Sequence, residues 1–378
     1  MMEMVSPKYT DYLYRKASMN HVPLSGTFEL TPRCNMDCKM CYIRKSSEEV
    51  NKYGGEKSAE QWIELGKICR DKGMIFLLLT GGEPFLVKDF KYIYKELKKL
   101  GLIISINSNA TLIDENVIEW LKDDPPNKVN VTLYGGCNET YYKLCGNQNG
   151  YDQATRGIKL LKEANIPVKI NSSMTQYNID DLKDIFDFGR KNNIYVQSTS
   201  YMFPPIRKNE NMTGQGDRFT AEEAGKNLAN IYKERYSDEI FKLKAEKYKK
   251  SIANYISQED KEILEGEPLR CRAGRSTFWI NWKGEMSPCG MMNEPTMNVF
   301  EQGFDKSWKY ILEEVEKIRL PIECMKCKNK PVCTVCGAMV VSETGDYSKV
   351  PKYICQMTQC FLDNIEELYK NDFEKEKV

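Results

Sequence analysis

From about residue 24 to residue 203, short apolar runs alternate with longer stretches in which apolar residues recur every three or four positions. The apolar runs predict strands near 26–31, 74–80 (MIFLLLT), 102–108 (LIISINS), 128–134 (KVNVTLY), 167–173 (PVKINSS) and 194–202 (IYVQSTSYM). Stretches between them, such as SAEQWIELGKICRDKG and DLKDIFDFGRKNN, predict amphipathic helices with a capping residue at the start and Gly or Asn near the end. Six strand–helix repeats of this size predict an α/β fold, a parallel sheet curving into a partial (β/α)6, TIM-like barrel. Functional side chains then belong at the carboxyl ends of the strands. The character changes after residue 204. PPIRKNENMTGQGD is a Pro-, Gly- and Asn-rich connection, and residues 220–266 predict charged helices whose run KLKAEKYKK reads as a solvated face. The expected organisation is an N-terminal extension (1–23), the barrel (24–203), a linker with charged helices (204–268), a small cysteine-rich unit (269–362) and a C-terminal helix or tail (363–378).

Composition narrows the chemistry. A chain of 378 residues with 41% apolar content can bury one large core or two moderate ones. A net charge of +1 supplies no global field for nucleic acid or an anionic membrane, so neither is expected as a partner. The start, MMEMVSPKYTDYLYRK, lacks the pattern of an export signal and the apolar runs are strand-length, so a cytoplasmic location is expected. There are fourteen cysteines and one histidine, His21. That scarcity excludes serine–histidine hydrolysis, histidine-rich zinc catalysis and haem ligation by paired histidines. Dense cysteine in a reducing compartment points to metal rather than to disulfides.

Three cysteines, Cys34, Cys38 and Cys41, crowd into CNMDCKMCY directly after the first predicted strand. They are one ligand short of a structural zinc site and one over for a disulfide. The spacing also suits one face of a helix, but Pro32, Asn35 and Asp37 favour a turn. Three thiolates at the barrel rim can hold a four-iron cluster while leaving one iron without a protein ligand. The second strand ends in Gly81, Gly82, Glu83 and Pro84. The two glycines would let a ligand approach the backbone, Glu83 would take an ammonium group, and Pro84 would hold Glu83 extended.

Together, the Cys-x3-Cys-x2-Cys loop after strand one and GGEP after strand two resemble the radical S-adenosylmethionine (SAM) superfamily over about residues 24–203. The resemblance implies that the amino and carboxylate groups of SAM chelate the open iron of a [4Fe-4S] cluster. Electron transfer then cleaves the sulfonium to a 5′-deoxyadenosyl radical, with a donor such as flavodoxin or ferredoxin supplying the electron. It also implies cofactor contacts at Ser108, Thr132 and Asn171, although Thr132 and Asn171 equally suit plain strand-end hydrogen bonding. Tyr134 stands where relatives carry an aspartate and is a catalytic candidate. Cys137, in YGGCNETYYKLCG, is either a hydrogen-atom donor at the barrel mouth or an ordinary loop thiol.

The later cysteines have a pattern of their own. Cys271 precedes Gly284 and Cys289, followed by Cys324-x2-Cys327-x5-Cys333-x2-Cys336 and then Cys355. This resembles the SPASM domain, which implies up to two auxiliary clusters and three [4Fe-4S] clusters in all; paired zinc knuckles are the alternative. By resemblance Cys324, Cys327, Cys333 and Cys355 form an outer set. Cys271, Cys289 and Cys336 form an inner set, with either an open iron for a substrate thiolate or Cys360 as fourth ligand. One departure is that two residues, not the usual three, separate Cys333 from Cys336. The implied function is a maturase acting on a ribosomally made peptide or a protein side chain by thioether or other cross-linking, epimerisation or oxidation. A sulfatase-maturing-type enzyme and a non-catalytic iron–sulfur or zinc electron-transfer or binding module are the alternatives. GMMNEPTMN, after Cys289, lacks the aspartate-containing segment of the sulfatase-maturing group. The stretch ahead of the first strand is too short for a winged-helix leader-recognition domain. Leader binding would then use residues 220–266, the bridge between domains or a separate protein.

Overall fold

The computed structural model describes residues 8–256 and 265–373. All six expected strands form, as β1 (Ser25–Glu29), β2 (Phe76–Thr80), β3 (Ile103–Ser108), β4 (Lys128–Thr132), β5 (Val168–Ser173) and β6 (Val196–Thr199). They lie in chain order and pair in parallel. Side chains alternate across the sheet. On β4, Val129 and Val131 are fully buried, whereas Asn130 reaches Asn107 of β3 at 2.8 Å on the opposite face. The crossover helix Ala59–Asp71 begins at a capping box between Ser58 and Gln61 and buries Trp62, Leu65 and Cys69, with Trp62 against Phe28 of β1.

The barrel sheet does not end at β1, as the separate-unit expectation would have it. A seventh strand, β7 (Thr277–Ile280), comes from the cysteine-rich region and pairs in parallel with β1 from Ser25↔Thr277 to Phe28↔Ile280. Antiparallel β8 (Glu285–Ser287) and β9 (Met297–Asn298) complete a nine-stranded sheet in the order β6-β5-β4-β3-β2-β1-β7-β8-β9. The turn between β7 and β8 accounts for Gly284. Its φ is +90°, and a Cβ there would lie 2.4 Å from the Phe300 ring.

The linker folds back over the strand ends. Arg218 pairs with Glu343 at 2.6 Å, both side chains nearly inaccessible, and the Tyr201 hydroxyl donates to the same carboxylate at 2.8 Å. The charged segment forms helices Ala221–Arg235 and Asp238–Ile256; residues 257–264 of the expected helical stretch lie outside the described residues. KLKAEKYKK does not float free: Phe241 just before it and Ala245 within it pack with Phe361 and Ile365. One helix, Lys352–Phe373, runs through the expected domain boundary at 362, so Cys360 sits mid-helix. Among the described residues no helix is long and apolar enough to cross a membrane.

Candidate active site

After β1 the chain runs from Leu30 to Ser46 without a helix, so Cys34, Cys38 and Cys41 lie on a loop and not on a helical stripe. The loop is held from both sides. Glu56 accepts from Arg33 Nε at 2.8 Å and Nη2 at 2.7 Å, and from the Thr31 hydroxyl. The amides of Asp37 and Lys39 donate to the carbonyls of Cys145 (2.9 Å) and Leu144 (3.0 Å) at the end of helix Asn138–Cys145. Amide groups also point at sulfur: Met36 N lies 3.4 Å from Cys34 Sγ, Arg44 N 3.3 Å from Cys41 Sγ, and Asn109 Nδ2 3.6 Å from Cys34 Sγ. Burial pushes the Cys34 thiol up to about 12, helped by the nearby charges of Glu83, Cys38 and Cys41. For Cys38 a hydrogen bond with the Cys145 thiol raises it first, then burial. Thiols packed this closely would need added positive charge to stand together as thiolates, which iron bound at this loop would supply. Among the described residues no three His, Cys, Asp or Glu side chains converge tightly enough to hold a single ion. The fit to a cluster therefore rests on donor type and placement.

GGEP works differently from its sequence reading. Gly82 N donates to Thr31 O at 2.7 Å and Glu83 N to Arg33 O at 2.9 Å, and a Cβ on Gly82 would sit 2.3 Å from Arg33 O. The glycines thus admit the cysteine loop itself. Glu83 is inaccessible and accepts from Ser108 Oγ (2.9 Å), Asn109 N (2.8 Å) and Phe85 N (3.1 Å). It does not face an ammonium group, because its oxygens are spent joining the ends of β2 and β3. Ser108 is likewise committed, donating to Glu83 and accepting from Ala110 N at 2.9 Å. Pro84 opens the one-turn helix Pro84–Leu86, with Glu83 extended before it as expected (φ −138°, ψ 111°).

A cavity of about 410 Å³ lies between the cysteine loop and the strand ends. Thr132 and Asn171, paired in register on β4 and β5, line it together with Tyr134, Gly81 and Gly82. Tyr134 lies close to Cys38 and Cys41, whose charge, after burial, raises its phenol. Cys137 is not in this wall: it is exposed, with Sγ 3.5 Å from Thr140 Oγ1. The chain has already turned outward by then, where Gly136 N binds Asp181 Oδ2 at 2.7 Å. Sequence reading missed Asn107, Asn109, Tyr201 and Met291 in the lining. Met291, two residues after Cys289, brings the cysteine-rich region into the cavity.

The later cysteines lie in two neighbourhoods. Cys324, Cys327, Cys333 and Cys355 line a cavity of about 230 Å³. Cys271, Cys289 and Cys336 lie within electrostatic reach of one another, and burial followed by this proximity raises the thiols of Cys289 and Cys336. Cys360 joins neither set. It packs against Gly225 of the neighbouring helix, with Glu222 and Asp363 beside it.

Residues 28–189 match the family model of the Radical SAM superfamily. The chain carries a radical SAM domain. Over 351 residues it is 24% identical to the AdoMet-dependent heme synthase of Methanosarcina barkeri, covering 89% of this chain and 97% of that one. It is 25% identical to the antilisterial bacteriocin subtilosin biosynthesis protein AlbA of Bacillus subtilis, covering 88% of this chain and 71% of that one. Its fold matches SuiB of Streptococcus suis, solved bound to S-adenosylmethionine, with a TM-score of 0.61 at 17% identity over 94% of this chain and 82% of that one. SuiB has also been solved bound to its precursor peptide SuiA. The barrel with its cysteine-rich extension thus shares its fold with SuiB.

Proposed function

We propose that this radical SAM enzyme modifies a peptide or protein side chain, with carbon–sulfur bond formation as the favoured outcome. The observation that carries this reading is the placement of the inner thiol set. Cys289 leads directly into Met291 in the wall of the SAM cavity, and Tyr201 in the same wall lies near Cys336. Cys34, Cys38 and Cys41 would hold the SAM-cleaving cluster, Cys324, Cys327, Cys333 and Cys355 an outer cluster, and Cys271, Cys289 and Cys336 an inner one with a free coordination position. Clusters bound by these thiols would supply one-electron transfer to SAM and from the maturing product.

The chain's own contribution is to orient and shield. Backbone at Gly81 and Gly82, with Thr132 and Asn171, borders the cofactor, while Tyr134, Tyr201 and Met291 exclude water from the reacting carbon. A polar cavity of about 490 Å³ shares Ile43 with the first and mixes Lys45, Lys208 and Lys283 with Glu210, Glu285 and Glu294. Both signs of charge suit the flank of a peptide. Likeness to a heme synthase raises a second reading, a tetrapyrrole substrate. The described lining of the SAM cavity contains no Lys or Arg to meet tetrapyrrole carboxylates, which favours the peptide. A low-potential protein such as flavodoxin or ferredoxin would supply electrons, and a separate protein would present a leader.

The test is anaerobic incubation of reconstituted enzyme, SAM and reductant with any short cysteine-containing peptide found encoded beside its gene, read by mass spectrometry. Loss of two hydrogens per bond, one into 5′-deoxyadenosine and one as a proton, supports the reading. An unchanged peptide together with consumption of an iron coproporphyrin would overturn it.

A further inference from the structure

Arg207, on the linker, is the only charged side chain joining three parts of the molecule at one buried point among the contacts described around Cys289. Its Nη1 donates to Gly290 O at 2.8 Å, one residue beyond Cys289. Its Nη2 donates to Glu29 Oε1 at 2.9 Å, at the end of β1, and the other oxygen of Glu29 accepts from Trp279 Nε1 of β7 at 3.1 Å. The guanidinium also lies 5.4 Å from the ring of Tyr42, which follows Cys41, and 5.7 Å from the ring of Trp279. Glu29 is inaccessible and the Arg207 side chain only 11% exposed. A buried ion pair therefore stands between the loop of the first thiol set and the inner set, its positive end toward Cys289 and its negative end toward the barrel.

Such a pair is an expensive structural bolt. Two ions must be desolvated, and apolar residues of similar volume hold interfaces together as well or better. An oriented charge in a low-dielectric gap does act on a neighbouring redox group, because fixed positive charge stabilises the reduced state. The geometry points to Arg207 as a positioning residue that raises the reduction potential of the inner auxiliary cluster, making it the acceptor of the electron released in product formation, with Glu29 holding the guanidinium in place and setting a limit on its effect. This rests on the proposed assignment of Cys271, Cys289 and Cys336 to a cluster.

The experiment is a redox titration followed by electron paramagnetic resonance, on anaerobically reconstituted full-length enzyme without SAM. Arg207→Gln should make the inner couple a weaker acceptor by tenfold or more, a fall of about 59 mV or more for one electron. Glu29→Gln should move the same couple upward, and Arg207→Lys should leave it near the wild type. The outer couple should stay in place throughout. Opposite shifts from two neutral amides in one ion pair are not what loosened packing produces. Should a single variant fail to take up iron, Glu29→Gln/Arg207→Gln retains hydrogen-bonding groups with no buried charge and should show a smaller fall. Shifts of equal sign in the single variants, or an unmoved inner couple in the double variant, would overturn the inference. A wild-type enzyme with no inner couple at all would overturn the cluster assignment itself, and this inference with it.

Discussion

Replacing Glu83 with alanine removes the acceptor for three buried donors: Ser108 Oγ at 2.9 Å, Asn109 N at 2.8 Å and Phe85 N at 3.1 Å. Each donor left without a partner costs about 1–3 kcal/mol, so the variant should lose about 3–9 kcal/mol of unfolding free energy. That is a large part of a typical domain's stability. Glu83→Gln keeps one acceptor oxygen but sets an amide N–H₂ against a donor, and should lose about 1–3 kcal/mol. Burial pushes the Glu83 carboxyl up from 4.5 to about 7 despite its three donors, which pull the other way. The folded state thus holds this proton more tightly than the unfolded state. Its stabilisation is complete below the unfolded value near 4.5 and is lost as pH rises through about 7, with a slope of at most about 1.4 kcal/mol per pH unit. Urea denaturation of the metal-free protein between pH 5 and 8 measures both effects, and Glu83→Gln should lack this part of the pH dependence. A Glu83→Ala protein with the wild-type urea midpoint but weakened SAM binding would refute the reasoning, because it would show the carboxylate serving the ligand instead of the turn.

Three further outcomes follow from placement. Cys360→Ala should leave iron near twelve per chain and the auxiliary spectra unchanged, since this thiol packs against Gly225; loss of one cluster would show that it closes the inner site. Cys137→Ser should leave product and rate unchanged, because the exposed thiol is outside the cavity wall; a changed product would restore it as a hydrogen donor. Arg218→Met leaves the Glu343 carboxylate buried without its cation and should cost about 3–5 kcal/mol in urea denaturation; an unchanged midpoint would show that water reaches Glu343.

Much of the barrel was legible because its strands are apolar runs of ordinary length and its helices carry apolar residues at helical spacing, one of them, Ala59–Asp71, opened by a full capping box. The cysteine loop was legible for a chemical reason, three thiols where neither zinc nor a disulfide wants three. Pairing of β7 with β1 was not, because Thr277–Ile280 is only four residues long and its partner lies some 250 positions earlier. The role of Glu83 was misread because a carboxylate beside two glycines looks available to a ligand. Only the fold shows the donors of Ser108 and Asn109 arriving from β3. Asn109, Tyr201 and Met291 carry no motif and reach the cavity through tertiary contact alone. Arg207 had no local signal either: its partners Glu29, Trp279 and Gly290 come from three distant segments.

The central claim is that the loop bearing Cys34, Cys38 and Cys41 holds the cluster that cleaves SAM, independently of the two later thiol sets. It is tested most directly by measuring 5′-deoxyadenosine formed from SAM under dithionite, comparing reconstituted wild-type enzyme with the Cys34→Ala/Cys38→Ala/Cys41→Ala variant. The wild type should form 5′-deoxyadenosine and methionine, while the variant should form none yet retain about eight irons per chain in the other sets. Wild-type turnover by the triple variant would contradict the account.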